Sequence, residues 1–381
     1  MQASATREQA EKFGIKIGDT IITKDSEDFR DIGNPAYVTF EESNVICGYH
    51  LAILRARAEI EPRFLFRAIQ SRHIQAQFSV RANGITRYGL GYSGIKDAVI
   101  LYPPREEQTA IANFLDRKTA LIDRAIAQQE RLIELLRERK QIVIQRAVTR
   151  GLDAGVAMKD SGVEWIGEIP RHWTTQRLKT FVKVQTGITL GKRYVEKNLE
   201  KVPYLRVANV QAGYFNLDEI TEIEVPPKDV SKYLLRKGDL LVTEGGDIDK
   251  LGRGSIWEDQ ITNCIHQNHI FAIRVTNDAV LPTFVATVFG SDYGRYYFTH
   301  TANKTTNLAS TNSTKLGNFP IALPPYSEMK EIIEYLSCVE DKMEEAIKLQ
   351  STQITKLKEY RATLIDAAVT GKVRVEVQNC F

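Results

Sequence analysis

The sequence predicts an α+β fold. Two mixed α/β domains are separated by two long helices that pair as an antiparallel coiled coil, related by a pseudo-two-fold internal repeat. Three observations carry that expectation. The 381-residue chain repeats its own landmarks in order. Each repeat passes from a strand-rich, glycine-punctuated part to a long helical part. The two helical parts share one heptad pattern.

Taking the elements in order, KIGDTIITKD (Lys16–Asp25) resembles RKGDLLVTEG (Arg236–Gly245), with Gly18-Asp19 opposite Gly238-Asp239. CGYHLAILR, ending at Arg55, resembles HQNHIFAIR, ending at Arg274, with His50 opposite His269. The β-branched runs TIIT, HLAIL, DLLVT and HIFAIRV read as strands. Asn34-Pro35, Gly245-Gly246 and Gly252-Arg253-Gly254 read as turns. VILYPPREEQTAIANFLD (Val99–Asp116) resembles FPIALPPYSEMKEIIEYLS (Phe319–Ser337). A Pro-Pro pair precedes each helix, where the missing proline N–H would be an orphan anyway. RAVTRG (Arg146–Gly151) resembles DAAVTGK (Asp366–Lys372). The boundaries are therefore a first domain at 1–102, a helix at 103–150, a second domain at 151–322, a helix at 323–372 and a tail at 373–381.

The first seam comprises Ile122, Ile126, Gln129, Ile133, Leu136, Lys140, Val143 and Ala147. The second comprises Met343, Ile347, Gln350, Ile354, Leu357, Arg361, Leu364 and Ala368. Both step by alternating fours and threes, the coiled-coil spacing. Each places a glutamine and then a cation at matching points, a device that fixes register. A helix from Arg105 to Thr149 would be about 67 Å long and needs a partner, which the other helix supplies. Arg131, Glu134, Arg137, Glu138, Lys348 and Lys356 fall on the outer faces, away from the seam, where a partner of the rod would have to contact it.

Composition excludes several classes. With 43% apolar and 26% charged residues the chain is globular in type, not disordered or collagen-like. No apolar run reaches the ~20 residues of a membrane span, and MQASATREQAEKFG lacks the apolar core of a secretory signal. Cys47, Cys264, Cys338 and Cys380 form no CxxC pair or zinc spacing, which suits a reduced cytoplasmic protein without structural metal. The net charge of +3 is small, but its placement is uneven. Arg63 to Lys96 carries basic residues and no acid, and Arg171 to Arg206 is strongly basic. Such stretches can neutralise phosphates or form an ordinary solvated surface. Catalytic motifs are imperfect. Leu323-Pro324-Pro325-Tyr326 and Asn34-Pro35-Ala36-Tyr37 miss the adenine-methyltransferase pattern, and the loop Gly187 to Arg193 is one residue short of a phosphate loop. Glu138-Arg139-Lys140 lies in the heptad helix. His50 and His269 recur within strand-like runs, but no repeated carboxylate or nucleophile accompanies them, so they read as structural rather than as general bases.

The segments PPREEQTAIANFLD, RLIELLRERKQIVIQRAVTRGL, SGVEWIGEIPRHWTTQRLK, GDLLVTEGGDIDKLGRG and ANGITRYGLGYSGIKD resemble those of type I restriction-modification specificity subunits, over almost the whole chain. The resemblance implies two target-recognition domains, each reading half of a split duplex DNA target, with the coiled coil setting the gap. It implies partners: two methyltransferase subunits that carry S-adenosylmethionine, and restriction-translocase subunits that use ATP and Mg. This chain would bind no cofactor and perform no catalysis. One feature departs from the pattern. The opening segment from Gly162 to about Ile223 has no counterpart before Gly18-Asp19. The first recognition domain is therefore expected to be shortened at its N-terminus. Two other readings stand beside this one: a non-functional or trans-complemented fragment, and a coiled-coil scaffold that binds no DNA.

Base reading needs paired donors and acceptors, chiefly Arg, Lys, Asn and Gln. In the first domain, Arg81, Asn83, Thr86, Arg87 and Tyr88 cluster among glycines. In the second, Asn303, Lys304, Thr305, Thr306 and Asn307 occupy the matching region. Lys192, Arg193 and Tyr194 follow a glycine turn. Arg206 and Asn209 lie in PYLRVANVQAG, and Lys250 and Arg253 flank a glycine-rich loop. These are the candidate DNA-binding residues.

Overall fold

The computed structural model describes residues 5–40, 45–192, 194–196, 198–246, 251–252, 254–304 and 309–376. The chain is α+β and divides into two compact units. The first comprises Met1–Ile133 with Lys348–Phe381, the second Glu134–Ile347. Each unit contains one stretch of each long helix, Arg105–Arg150 and Tyr326–Val369.

In the first unit, Thr20–Thr23 is the middle strand of an antiparallel sheet, flanked by Pro35–Tyr37 and Leu51–Leu54. Alternation puts Ile22 in the core with Ile32, Ile69, Ile74, Phe78 and Leu90. Asp19, buried just before the strand, ion-pairs Arg55 at 2.7 Å and accepts the Lys16 N–H at 2.8 Å. Burial opposes ionisation of Asp19, but the hydrogen bonds and charges of Arg55 and Lys16 together outweigh it and hold its carboxyl below the usual range. Helices Pro62–Gln70 and Arg72–Arg81 follow. Proline opens the first at its N-terminus, and the Glu61 and Ser71 side chains cap Phe64 and Ile74 N–H groups. Phe64 and Ala68 then pack on Ile111 and Leu115 of one long helix and Ile365 and Ala368 of the other. Arg67 ties to Asp116 at 2.7 Å.

The second unit is built around an antiparallel four-stranded sheet, ordered Val182–Thr186, Ile270–Val275, Leu240–Thr243, Gly254–Ile256. Leu240–Thr243 is buried on both faces, hence its unbroken apolar run. A smaller sheet places Glu200–Leu205 between Thr221–Val225 and Ile265–His266. Trp173, Phe284, Val288, Phe298 and Phe319 centre the core, which includes Ile144, Ala147 and Val148 from one long helix and Met329, Ile332 and Leu336 from the other. Asp239 and Arg274 make the ion pair that Asp19 and Arg55 make in the first unit, at 2.6 Å.

Within each unit the two long helices run in opposite senses. Asp123 meets Arg361 in the first, where Ile111 clusters with Ala368. Lys140 meets Glu340 and Glu344 at 3.1 Å in the second, where Val148 clusters with Met329. Desolvation opposes the Lys140 charge, but the two glutamates outweigh it and raise its pKa. Every predicted seam position is buried or half-buried, and the six outer-face residues are exposed. Gln129 and Gln350, both in the first unit, have enclosed Oε1 atoms with no hydrogen-bond partner. Among the described residues, no helix is long and apolar enough to cross a membrane.

His266 carries a prediction of its own. Its ring is fully buried, Nδ1 donates to the Ile270 carbonyl at 3.1 Å, and Nε2 is enclosed without a partner among the described residues. Burial lowers its pKa from 6.5 to about 4. The unfolded chain therefore takes up a proton that the folded chain refuses. Stability is full above pH 6.5 and falls as pH drops from 6.5 towards 4, by about 3 kcal/mol in all. Urea unfolding across that range should show this slope, and His266→Gln should flatten it. An unchanged slope in His266→Gln would contradict the assignment.

Candidate nucleic-acid interface

In the first unit, Ala82–Asn83 and Tyr88–Leu90 form a hairpin, and Asp25–Ser26 pairs with its second strand. Gly84 makes the turn possible. Its φ is +146°, and a Cβ there would fall 1.9 Å from the Arg87 carbonyl oxygen. The turn lifts Ile85 (92% exposed), Thr86 and Arg87 to the surface. Arg87 does not hang free. Its Nη2 and Nε donate to Asp25 Oδ1 at 2.8 and 3.0 Å. His50 Nδ1 meets the same oxygen. Partial desolvation opposes the charge on Asp25, and the Arg87 and His50 hydrogen bonds outweigh it and hold its carboxyl below the usual range. Tyr49, 80% exposed, stands edge-on to the His50 ring and carries Lys24 Nζ 4.6 Å from its own ring centre. The result is a cationic and aromatic face with its guanidinium oriented by a carboxylate. The remaining expected residues of this cluster are local. Asn83 donates to the Arg81 carbonyl, Arg81 donates to its own helix at Gln77, and Tyr88 stacks edge-on against Phe29.

The second unit builds the same kind of face. Gly245–Gly246, Ala309–Ser310 and Asn303–Lys304 form a sheet in that order. Glu244 Oε2 lies 2.6 Å from His269 Nδ1, and Asn268 Nδ2 lies 3.3 Å from His269 Nε2. Lys304 is exposed, and exposed Asn303 accepts from Lys315 Nζ at 2.6 Å.

These contacts correct the sequence reading of the two histidines. Each has a carboxylate partner 25 residues earlier. Aligning the repeats on Gly-Asp places Lys24 opposite Glu244, so the matching acid, Asp25, is shifted by one position and hidden. The equal spacing to histidine was the available signal. A carboxylate on Nδ1 fixes the ring and leaves Nε2 as the outward group. Lys24 and Tyr49 were missed because no motif marks them.

Other candidates lie apart from these faces. Gly187 passes so close to His266 that a Cβ would sit 1.9 Å from its carbonyl oxygen, and the loop beyond it carries Lys192 and Tyr194. Lys192 Nζ is 3.4 Å from Asp229 and 4.8 Å above the Tyr194 ring. Burial, with Asp229 beside it, pushes the Tyr194 phenol up to about 12. Asn209 is not a base reader. It is 4% exposed, its Nδ2 donates to the Asn216 and Glu219 carbonyls, and its Oδ1 accepts the Arg206 N–H. An asparagine that shapes a loop has no amide group left for an adenine. Among the described residues, the enclosed Arg206 Nε has no hydrogen-bond partner. Arg193, Lys250, Arg253, Thr305, Thr306 and Asn307 lie outside the described residues.

Residues 170–355 match the family described as "Type I restriction modification DNA specificity domain". The chain is 23% identical over 350 residues to the StySPI type I restriction enzyme specificity subunit of Salmonella potsdam, covering 90% of this chain and 73% of that one. In two other curated specificity subunits the matched part spans 40% and 48% of the relative, so the chain spans about half their length. The fold resembles the HsdS subunit of Thermoanaerobacter tengcongensis, with a TM-score of 0.54 at 18% identity over 94% of this chain and 82% of that one. It also resembles a chain in "Structural basis underlying complex assembly and conformational transition of the type I R-M system", with a TM-score of 0.72 at 17% identity over 94% and 83%. The type I restriction modification DNA specificity domain occupies residues 170–355, and the relatives and the fold agree with it in supporting a type I restriction-modification specificity subunit.

Proposed function

We propose that this chain supplies DNA sequence specificity to a type I restriction-modification complex in the cytoplasm. Residues 1–102 and 151–322 act as target-recognition domains, each reading half of a bipartite duplex target. The helices at 103–150 and 323–372 pair as an antiparallel coiled coil that sets the gap. Their outer faces dock two methyltransferase subunits, which hold S-adenosylmethionine, and restriction-translocase subunits bring ATP and Mg. The chain itself binds no cofactor and catalyses no step.

The observation that carries this reading is the recurrence of one surface construction in both units. Each pairs a small hairpin sheet with an exposed cation and a carboxylate-held histidine. Cations there neutralise phosphates, while hairpin side chains reach base edges. In a complex with its methyltransferase subunit, Arg87→Ala and Lys304→Ala should each weaken DNA binding and reduce the slope of log affinity against log salt by about 1. Salt titrations of binding measure this. Unchanged slopes in both variants would contradict phosphate contact at these faces.

A further inference from the structure

The second unit buries a tryptophan that has no counterpart in the first. Trp173 Nε1 donates to Glu328 at 3.0 Å, and the ring lies against Gly151, 3.3 Å from where a Cβ would stand. The strand that follows, Thr174–Arg177, pairs antiparallel with Pro320–Leu323 and buries Ile321, Ala322 and Leu323.

The first unit contains the same slot and the same edge, and among the described residues nothing occupies either. Glu107 follows Pro103-Pro104 as Glu328 follows Pro324-Pro325. Gly371 ends its helix in the same left-handed turn as Gly151, φ +69° against +71°, yet no atom of the described residues lies within 4 Å of where its Cβ would be. A cavity of about 220 Å³ lies here, lined by Ala68, Ile74, Ile100, Tyr102, Glu107 and Gly371 among others. The matching edge is open: Val99, Leu101 and Tyr102 are 60%, 74% and 55% exposed. Gln77 holds the Val99 main chain, but the Ile100 N–H and C=O have no hydrogen-bond partner among the described residues. An apolar edge with unpaired main-chain groups is a template for another strand.

We propose that this slot and edge form a docking site for an extended polypeptide segment carrying Pro-x-x-Trp followed by a strand. The indole fills the cavity and donates to Glu107, and the strand pairs along residues 99–102. Tryptophan suits the site, since it offers a large apolar body with one donor, and the slot offers an apolar cavity with one carboxylate. The proposal goes beyond the DNA reading and its test contains no DNA.

The probe is a labelled peptide of residues 168–181, EIPRHWTTQRLKTF, titrated into the full chain. Saturable binding is expected, weakened at least about tenfold when the peptide tryptophan is alanine. Ile100→Pro, which removes the edge donor, should weaken binding further. Glu107→Ala changes an exposed position and should weaken binding severalfold even if Ile100→Pro disturbs folding. Absence of saturation, equal binding of the tryptophan-free peptide, or indifference to Glu107→Ala would overturn the proposal. So would self-association through this edge that the peptide does not displace, since a second copy would then be the occupant.

Discussion

Trp173→Ala is expected to cost about 3–5 kcal/mol of stability, the range for emptying a large aromatic from a core. Trp173 is fully buried within the cluster that joins Ile169, Leu178, Phe284 and Leu323 to both long helices. Its loss removes the apolar contact and the hydrogen bond to Glu328, leaving that carboxylate with His172 at 2.8 Å. Trp173→Phe keeps most of the apolar contact and should cost less. Urea unfolding followed by circular dichroism gives the difference, and a cost of under about 1 kcal/mol for Trp173→Ala would contradict the packing described here.

Asp239→Ala should be nearly as severe, about 3 kcal/mol or more. Asp239 is 1% exposed and accepts two Arg274 donors at 2.6 and 2.7 Å and the Arg236 N–H at 2.9 Å. Its hydrogen bonds raise the Arg274 pKa against the opposing effect of burial. Removing the acid leaves a guanidinium with only the Leu234 carbonyl, at 3.3 Å. Asp19→Ala, in the equivalent pair of the first unit, should cost less, because Arg55 is 46% exposed and water can replace its partner. Combining Asp239→Ala with Arg274→Met should recover part of the loss, since no cation is then left unpaired. Full additivity of the two changes would argue against a coupled pair.

The elements that fold by local rules were legible. Thr20–Thr23, Leu51–Leu54, Leu240–Thr243 and Ile270–Val275 are strands because β-branched runs bounded by turn residues have few alternatives. The long helices start after Pro104 and Pro325, as the proline rule requires. What stayed hidden depends on contacts distant in sequence. Heptad spacing identifies Lys140 and Arg361 as seam cations, but not the acids that answer them, Glu340 with Glu344 and Asp123, which lie on the opposite helix. Residue type alone suggested Asn209 for adenine, and only the fold shows its amide closed on two carbonyls. Asp25 and Glu244 escaped because a carboxylate can reach one histidine from either of two neighbouring backbone positions. The site is therefore less legible than the fold, since side-chain reach does not follow alignment.

If this chain directs a methyltransferase to a bipartite DNA target, as proposed, the target is written into the methylation of the genome. The most direct test is co-expression with the cognate methyltransferase subunit, followed by sequencing that maps methylated adenines across the genome. A split motif with a fixed gap is expected. No new methylation from a complex confirmed to assemble would contradict it.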